Sequence, residues 1–341
     1  MVFQEHVALK DQTTFKIGGF ARYFCRVEHD KDIMEAVSFA HEKKLPFFVL
    51  GGGSNVLISD KGFQGLVIKM DILGIEFFNR PNGTVEVVAG AGESWDFLVG
   101  LCVDKNLYGL ENLSAIPGTV GAAPVQNIGA YGEEVKNSIK QVEVFDTEDL
   151  KIKILNNKQC KFSYRDSIFK KPGGKNYIIT KVVFDFKQNS RLKTDYKDVA
   201  MYLEENKIKE PTLMQIRNAV IEIRSKKFPD LKRYGTAGSF FKNPIVSIGV
   251  FKNLQKKYPD LPSFTVSKTK IKIPAAWLLD HACGYKGIKE GNVGTYENQA
   301  LVLVNYGGAS AEETYNLAEK MREGILEKTG IKLEFEVQLV G

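Results

Sequence analysis

The chain has 341 residues and a formal net charge of +6. This length exceeds what one hydrophobic core usually organises, so we expect two or three domains. The Lys and Arg residues are interleaved with Asp and Glu residues rather than concentrated in one basic stripe. This distribution favours a protein that binds a small anionic ligand over one that binds nucleic acid.

Metal, disulfide and membrane signals are lacking in the sequence. The four cysteines form no C-x-x-C pair, and the H-E-x-x sequence that begins at His41 has Leu45 where a zinc-protease helix needs a second His. No metal site is therefore predicted.

Met1 to Lys10 has no apolar targeting segment, and no run of about eighteen apolar residues occurs. We expect a cytoplasmic protein without membrane insertion.

The first predicted elements are a helix and a buried strand that lead into a glycine loop. Apolar residues recur at helical spacing from Asp30 to Lys44, with Asp30 as the expected N-cap. Phe47 to Leu50 is a wholly apolar run, which predicts a buried strand ending at Gly51 to Asn55. This order is typical of an α/β unit with a ligand at the strand tip.

A second segment rich in small residues follows another strand and helix. Thr84 to Ala89 predicts the strand, and Ser94 is the expected cap of a helix that ends near Asn106. Small residues then dominate from Pro117 to Gly132 without low-complexity repetition. They indicate a backbone packed closely against something flat or charged.

The two glycine-rich segments allow two interpretations. Neither is a known nucleotide fingerprint, because Val56 stands where G-x-G-x-x-G needs its third Gly and no G-K-[ST] occurs. One interpretation is a clamp on a long dinucleotide, whose phosphates the glycine N–H groups approach from both sides. The other is two unrelated turn clusters.

The middle of the chain alternates between strands and helices. We predict short strands from Val142 to Phe186, then a loop or helical excursion from Asn189 to Glu210. Thr212 to Lys227 predicts an amphipathic helix whose apolar side is Ile216, Ala219, Val220 and Ile223.

The last elements carry clear start and stop signals. Pro274, at a first helical position, and Gly284, at a C-cap, bracket one helix, and the capping-box spacing at Ser310 opens another that Gly330 closes. The final segment alternates, which predicts one strand with these residues on a single face: Ile331, Leu333, Phe335, Val337 and Leu339.

The segment from Gly238 to Pro244 has the composition of a shaped site. It places the Ser239 hydroxyl beside two aromatic residues, Lys242 and Asn243. A hydroxyl that donates a proton needs a nearby cation or amide to stabilise its conjugate base, and walls that exclude water. The alternative is a strand end followed by an Asn-Pro turn.

Five motifs stand in the order and at roughly the spacing found in one enzyme family. They are Gly51 to Asn55, Pro117 to Gly132, Ser163 to Ser167, Gly238 to Pro244 and Leu333 to Val337. The chain resembles the UDP-N-acetylenolpyruvoylglucosamine reductases (MurB) over nearly its whole length. The resemblance implies an oxidoreductase of peptidoglycan precursor synthesis that uses non-covalent FAD and NADPH. It would convert UDP-N-acetylglucosamine enolpyruvate to UDP-N-acetylmuramate. We expect the protein to be a monomer.

The resemblance also implies an α+β fold of three domains. Residues 1–75, with residues 330–341, would form the first FAD-binding subdomain, and residues 76–215 the second. Together they would make an FAD-binding domain of the vanillyl-alcohol-oxidase (PCMH) type. Residues 216–329 would form a C-terminal α+β domain that binds substrate.

Site residues follow from the resemblance position by position. Ser239 is similar to the family's general acid, and Arg165 and Glu336 to its other catalytic residues. The residues implied to bind FAD are Gly51, Gly52, Gly53, Ser54, Asn55, Pro117, Gly118, Thr119, Gly121, Ala122, Gln126, Asn127, Gly129, Ala130 and Tyr131. The residues implied to contact substrate or order the site are Tyr196, Arg224, Lys227, Asn243, Lys286 and Gln299.

Two details of the resemblance concern subtype and local charge. Tyr196 stands in the long loop after Phe186, where one branch of the family has a mobile tyrosine loop that closes over the nucleotide. Gln338 departs from the family, which commonly has Arg after the Glu-Val pair, and so puts local ion pairing near Glu336 in doubt.

The implied chemistry suits these residue types. Hydride from flavin N5 would add to C3 of the enolpyruvyl group, and Ser239 would protonate C2. Arg165, a permanent planar cation, can stabilise the negative charge that develops between these steps. Glu336 would act as a protonated hydrogen-bond donor or orienter at the substrate carboxylate, which requires burial against flavin and substrate.

Each assignment has an alternative. Arg165 could pair with Asp166, Glu336 could lie on the solvated face of a strand, and Lys227 could belong to a solvated basic surface. Two whole-protein alternatives are a flavin oxidase that passes electrons to oxygen and a catalytically inactive nucleotide-binding protein. Retention of Ser239, Arg165 and Glu336 together argues against the second.

Overall fold

The chain folds into two compact units. The computed structural model describes residues 1–188 and 190–341. Unit 1 comprises Met1–Val7, Ala21–Gly52 and Gln64–Ser225, and unit 2 comprises Ala8–Phe20, Gly53–Phe63 and Lys226–Gly341. The predicted division into three domains stays a prediction.

Helices and strands alternate along the described residues. The helices are α1 (Asp30–Glu42), α2 (Trp95–Asp104), α3 (Lys197–Glu205), α4 (Leu213–Lys227), α5 (Ile248–Lys257), α6 (Ala275–Trp277) and α7 (Ala311–Thr329). The strands of the amino-terminal half are β1 (Gln4–Ala8), β2 (Phe20–Val27), β3 (Phe47–Leu50), β4 (Val56–Ile58), β5 (Phe63–Met70), β6 (Ile75–Asn79), β7 (Thr84–Gly90), β8 (Gly129–Ala130), β9 (Glu133–Glu134) and β10 (Ile139–Asp146). Those that follow are β11 (Lys151–Asn156), β12 (Tyr177–Lys187), β13 (Ile245–Ser247), β14 (Phe264–Thr265), β15 (Lys270–Lys272), β16 (Lys289–Glu290), β17 (Val293–Tyr296), β18 (Gln299–Asn305) and β19 (Gln338–Val340). Among the described residues, no helix is both long and apolar enough to span a bilayer.

Two sheets form the frame of unit 1. One has the order β1-β2-β5-β3, with β3 parallel to β5, and the other is antiparallel with the order β11-β10-β12-β7-β6. The apolar face predicted for α1 is buried in the unit 1 core. The cap of α1 differs from the prediction, because His29 rather than Asp30 is the N-cap. The Asp32 carboxylate accepts the His29 N–H at 2.8 Å and so satisfies a free donor of the first turn.

A smaller apolar cluster joins α3 to α4 in unit 1. Val199 and Leu203 of α3 pack with Ile216, Val220 and Ile223 of α4. The predicted excursion after β12 therefore contains a short docked helix. Its first predicted residue, Asn189, lies outside the described residues.

The core of unit 2 lies against α7. Ser310 Oγ accepts the Glu313 N–H at 3.0 Å and the Glu313 carboxylate accepts the Ser310 N–H at 2.8 Å, which confirms the capping box. Gly330 ends α7 in the left-handed region, with φ 69°. The helix after Pro274 starts as predicted, but Pro274 is its N-cap and its second turn, Leu278–Ala282, widens to a π-helix.

The strand predicted for the last segment is wrong over most of its length. Only β19 is a strand, and it pairs in parallel with β4. Burial alternates through Leu333 and Val337, but Leu339 is 44% exposed whereas Val340 is buried. The pairing with β4 sets the register at the end of the chain and turns Leu339 outward.

Candidate cofactor and substrate site

The two glycine-rich segments meet backbone to backbone in unit 1. A Cβ on Gly52 would lie 2.7 Å from the Gly118 Cα, and a Cβ on Gly51 would lie 2.6 Å from Thr119 Oγ1. Any larger side chain would push the segments apart, which is why glycine is needed at both positions. The interpretation as two unrelated turn clusters is therefore wrong.

Thr119 offers an unused polar group at this contact. Its Oγ1 is buried and has no hydrogen-bond partner within residues 1–188 and 190–341. A buried hydroxyl without a partner carries a desolvation cost, which a ligand that hydrogen-bonds it would remove. The glycine contact thus has a polar group suited to a phosphate or ribose.

A half-buried lysine that sequence reasoning missed supports the first glycine loop. Lys69 Nζ donates to the Gly51 carbonyl at 2.5 Å. Burial lowers the pKa of Lys69. The available signal was a single Lys in the otherwise apolar run Leu66–Met70, next to β3 in the sheet. Its charge lies directly behind a loop suited to an anion.

The rest of the first loop belongs to unit 2. Gly53 has φ 62°, and its ideal Cβ would lie 2.3 Å from the Gln12 carbonyl oxygen, so only glycine fits. The Gly53 carbonyl accepts the Thr14 N–H at 3.1 Å. The boundary between the units thus falls within the predicted cofactor loop, after Gly52.

Arg165 lies at the tip of a tight turn in unit 1. Ser163 and Asp166 exchange backbone hydrogen bonds, and Arg165 has φ 53°. The buried Asn127 donates from Nδ2 to the Ser163 carbonyl at 3.0 Å. The Arg165 guanidinium donates to the Gly129 carbonyl at 2.7 Å. The second glycine-rich segment therefore positions the turn that carries Arg165.

The alternative interpretation of Arg165 was an ion pair with Asp166, and the structure supports it only in part. Asp166 forms an ion pair with Lys171 at 3.0 Å, so its carboxylate has another cation close by. The positive φ of Arg165 is a strained conformation for a residue with a side chain. The hydrogen bonds of the Ser163–Asp166 turn and of Asn127 hold this conformation in place.

Tyr131, Tyr196 and Arg224 meet in unit 1. The rings of Tyr131 and Tyr196 pack edge to face with centroids 5.3 Å apart. Arg224 hydrogen-bonds the Tyr131 hydroxyl and donates to the Ala115 carbonyl at 3.1 Å. Burial raises the pKa of Tyr131 to about 12, so this phenol stays protonated and can donate a hydrogen bond.

Ser239 and Glu336 lie on adjacent segments of unit 2. The Phe240 N–H donates to the Leu301 carbonyl and the Glu336 N–H donates to the Phe240 carbonyl, both at 2.9 Å. Asn55 Nδ2 donates to the Glu336 carbonyl at 3.2 Å. The predicted catalytic residue is thus held at its own N–H and its own carbonyl, and its side chain is half-buried.

The residues beside Ser239 have structural partners. Lys242 forms an ion pair with Glu334 at 3.0 Å. The Asn243 side-chain oxygen accepts the Ala275 N–H at 2.8 Å and so caps α6.

The other predicted residues fall on loops and element ends. Lys286 pairs with Asp280 at 3.4 Å in unit 2, and Gln299 begins β18. Lys227 is the last residue of α4. Gly121 packs so closely on Ala91 that an added Cβ would lie 2.5 Å from the Ala91 Cβ. The remaining predicted positions, in the glycine loop or the second glycine-rich segment, are Ser54, Pro117, Ala122, Gln126 and Ala130.

Comparison with known proteins decides the family. Residues 21–153 match an FAD binding domain, and residues 230–340 match the C-terminal domain of UDP-N-acetylenolpyruvoylglucosamine reductase. The UDP-N-acetylenolpyruvoylglucosamine reductase of Flavobacterium johnsoniae is 42% identical over 342 residues, which cover 100% of both chains. The chain belongs to the UDP-N-acetylenolpyruvoylglucosamine reductase family.

Further relatives agree with this membership. The UDP-N-acetylenolpyruvoylglucosamine reductase of Pseudomonas aeruginosa is 40% identical over 98% of each chain. The crystal structure of the Thermus caldophilus enzyme (MurB) is 26% identical, covers 100% of both chains and has a TM-score of 0.70. The predicted family and the α+β fold class with an FAD-binding domain are confirmed. The tyrosine-loop subtype and the role of each site residue stay predictions.

Proposed function

We propose that this chain reduces the enolpyruvyl group of UDP-N-acetylglucosamine enolpyruvate to give UDP-N-acetylmuramate, with FAD as cofactor and NADPH as reductant. The reaction supplies a peptidoglycan precursor. The observation that carries the proposal is 42% and 40% identity, over essentially the full chain, to reductases named for this substrate.

The cofactor is supported by the glycine contact. Gly51, Gly52 and Gly118 leave no side chain between two backbone segments, and the buried Thr119 hydroxyl has no partner among the described residues. Backbone N–H groups of such segments suit a diphosphate, and Lys69 adds a positive charge behind the Gly51 carbonyl. When bound and reduced, FAD supplies the hydride that adds to C3 of the enolpyruvyl group.

Ser239 supplies the proton that completes the reduction at C2. Within the described residues, the Ser239 hydroxyl has no hydrogen-bond partner, so it is available to a substrate. The hydrogen bonds on Phe240 fix the backbone that carries it. A rigid backbone keeps the hydroxyl oriented, which general acid catalysis requires.

Arg165 and Glu336 act on the substrate carboxylate and the adjacent developing charge. The Arg165 guanidinium is permanently charged, and its turn is anchored to Asn127 and Gly129. An anchored cation stabilises a developing anion without first reorganising. Glu336 orients the carboxylate from a backbone held on both sides.

The remaining proposals concern the residues that contact substrate, the oligomeric state and the location in the cell. Tyr196, Arg224, Lys227, Asn243, Lys286 and Gln299 contact the UDP-sugar or order its site. Tyr196 directly precedes the helix α3, and we assign the chain to the subtype in which this tyrosine closes over the nucleotide. We include a monomeric, cytoplasmic enzyme in the proposal.

An anaerobic titration followed by visible spectroscopy tests the function. The purified protein is expected to be yellow, to lose its flavin absorbance on addition of NADPH, and to recover it on addition of the enolpyruvyl substrate. Rapid reoxidation in air without substrate would instead support a flavin oxidase. A colourless protein that gains no absorbance after incubation with FAD would contradict the proposal and support an inactive nucleotide-binding protein.

A further inference from the structure

Asn112 connects two segments of unit 1 that are remote in sequence. Its side-chain Nδ2 donates to the Tyr131 carbonyl at 2.9 Å and to the Lys193 carbonyl at 3.0 Å. The residue is only 1% exposed. A primary amide is the neutral side-chain group that offers two N–H donors from one nitrogen, so this position uses the full donor capacity of Asn.

A second contact joins the same two segments. Lys193 Nζ forms an ion pair with Glu133 at 2.7 Å, and the Glu133 side chain is only 6% exposed. Glu133 is also fixed by the Asn137 side chain, which donates to it at 2.6 Å. Lys193 is therefore held through both its backbone carbonyl and its side chain.

The fixed segment leads directly to Tyr196. Beyond Lys193, the Tyr196 ring packs against Tyr131, whose carbonyl is the other acceptor of Asn112. The helix α3 that begins after Tyr196 is anchored in turn by Val199 and Leu203 on α4. Asn112 thus fixes the chain at Lys193, just before Tyr196, and α3 fixes the chain directly after Tyr196.

We infer that Asn112 is a positioning residue that holds Tyr196 against the second cofactor-binding segment and so sets the affinity for the UDP-sugar. The inference rests on the proposed function. Tyr131 belongs to the segment proposed to bind FAD, and Tyr196 is proposed to contact the substrate. The amide of Asn112 therefore couples the cofactor segment to the substrate loop, although it touches neither ligand itself.

Loss of the amide has a defined consequence. Asn112→Ala would leave the buried Tyr131 carbonyl and the part-buried Lys193 carbonyl without this donor. Such groups recover hydrogen bonds by moving toward water. The loop would then open more often, and substrate would bind only to the closed fraction. Affinity falls in proportion to that fraction, whereas flavin reduction by NADPH does not depend on it.

A double-mutant cycle on the FAD-loaded enzyme tests the inference. We expect Asn112→Ala to raise the substrate Kd about tenfold when Tyr196 is present and less than about twofold in a Tyr196→Ala background. With Tyr196 present, Asn112→Ala should leave the rate of flavin reduction by NADPH within about twofold of the parent. Equal losses of affinity in both backgrounds, or no loss in either, would overturn the inference.

Limited proteolysis provides a readout without substrate. Trypsin should cleave after Lys193 about ten times faster in Asn112→Ala than in the parent, whereas Asn79→Ala, at an exposed position on β6, should cleave at the parental rate. Unchanged cleavage would contradict the inference even if the substrate assignment were correct. If the parent fails to be reoxidised by the enolpyruvyl substrate but the cleavage difference is present, the proposed function fails and the loop contact stands.

A milder variant tests the same contact in case Asn112→Ala does not fold. Glu133→Gln removes the charge that pairs with Lys193 and keeps the volume of the side chain. We expect it to raise the substrate Kd about threefold, again only when Tyr196 is present. A similar rise in the Tyr196→Ala background would count against the inference.

Discussion

Ser239 shows how much a residue's role depends on the backbone beneath it. Its segment is held by hydrogen bonds to β18 on one side and to the Glu336 segment on the other. Gly238, with φ 75°, makes the turn just before it. These contacts fix the Ser239 Cα and Cβ, so the only large freedom left to the hydroxyl is rotation about χ1.

The first prediction concerns proton delivery by Ser239. Ser239→Ala should leave flavin reduction by NADPH unchanged and slow reoxidation by the enolpyruvyl substrate by at least about a hundredfold, because general acid catalysis is worth that much. Stopped-flow absorbance of the two half-reactions provides the measurement. An equal slowing of both half-reactions would rule out the general-acid role.

The second prediction concerns the contact of the glycine segments. A Cβ at position 52 would lie 2.7 Å from the Gly118 Cα and would force the segments apart. Gly52→Ala should therefore weaken FAD binding at least about tenfold, a loss typical of a displaced binding segment. The matched control is Gly173→Ala, because an added Cβ there meets nothing within 4 Å. Retention of FAD through gel filtration by Gly52→Ala would contradict the prediction.

At the scale of elements, local signals placed most helices correctly. The apolar face of α4 is buried as predicted, at Ile216, Ala219, Val220 and Ile223. The capping box at Ser310 and the left-handed Gly330 bound α7 as expected. Both signals depend on residues within one or two turns, so the sequence contains all that is needed.

The third prediction concerns the cap of α7. Ser310→Ala removes the acceptor for the Glu313 N–H and should lower the free energy of unfolding by about 1 kcal/mol. Denaturant unfolding of the FAD-loaded protein measures this loss, and the two half-reactions should keep their parental rates. A slower half-reaction would mean that α7 affects more than stability.

Other elements depended on partners remote in sequence. The last segment was predicted as one long strand because its apolar residues alternate, yet only β19 pairs, with β4. Alternation reports which side chains are buried but does not supply a neighbouring strand. The cap of α1 shifted by one residue because Asp32 accepts the His29 N–H.

At the scale of the whole molecule, buried carboxylates with cationic partners link stability to pH. Glu86 in β7 is 7% exposed and forms ion pairs with Arg80 and Lys140. The hydrogen bond from Lys140 is the main cause that holds the pKa of Glu86 below its usual 4.5. A carboxyl with a depressed pKa stabilises the fold above its unfolded-state pKa and loses that contribution as the pH falls through its folded-state pKa.

The fourth prediction follows from the direction in which the stabilising contribution of Glu86 changes with pH. Glu86→Gln should lower the free energy of unfolding at neutral pH, and its deficit relative to the parent should shrink as the pH falls below about 4.5. Denaturant unfolding across a pH series measures the difference. A deficit that stays constant down to acid pH would show that Glu86 is not the titrating group. Asp149→Asn serves as the comparison variant. Its deficit should have the same sign but be smaller, because the hydrogen bond from Lys153 also lowers the pKa of Asp149 but the carboxylate is 47% exposed and solvent screens its ion pairs.

The sequence by itself determined the family, the order of the motifs and the elements with local signals. Family membership could be read because five motifs recur in order, and helices because periodicity and caps act between near neighbours. Tertiary structure alone decided how the predicted site residues are held. The amide of Asn55 binds the Glu336 carbonyl across 281 positions of sequence, and Lys69 lies behind Gly51. Such contacts depend on the packing of the whole unit, which no local pattern records.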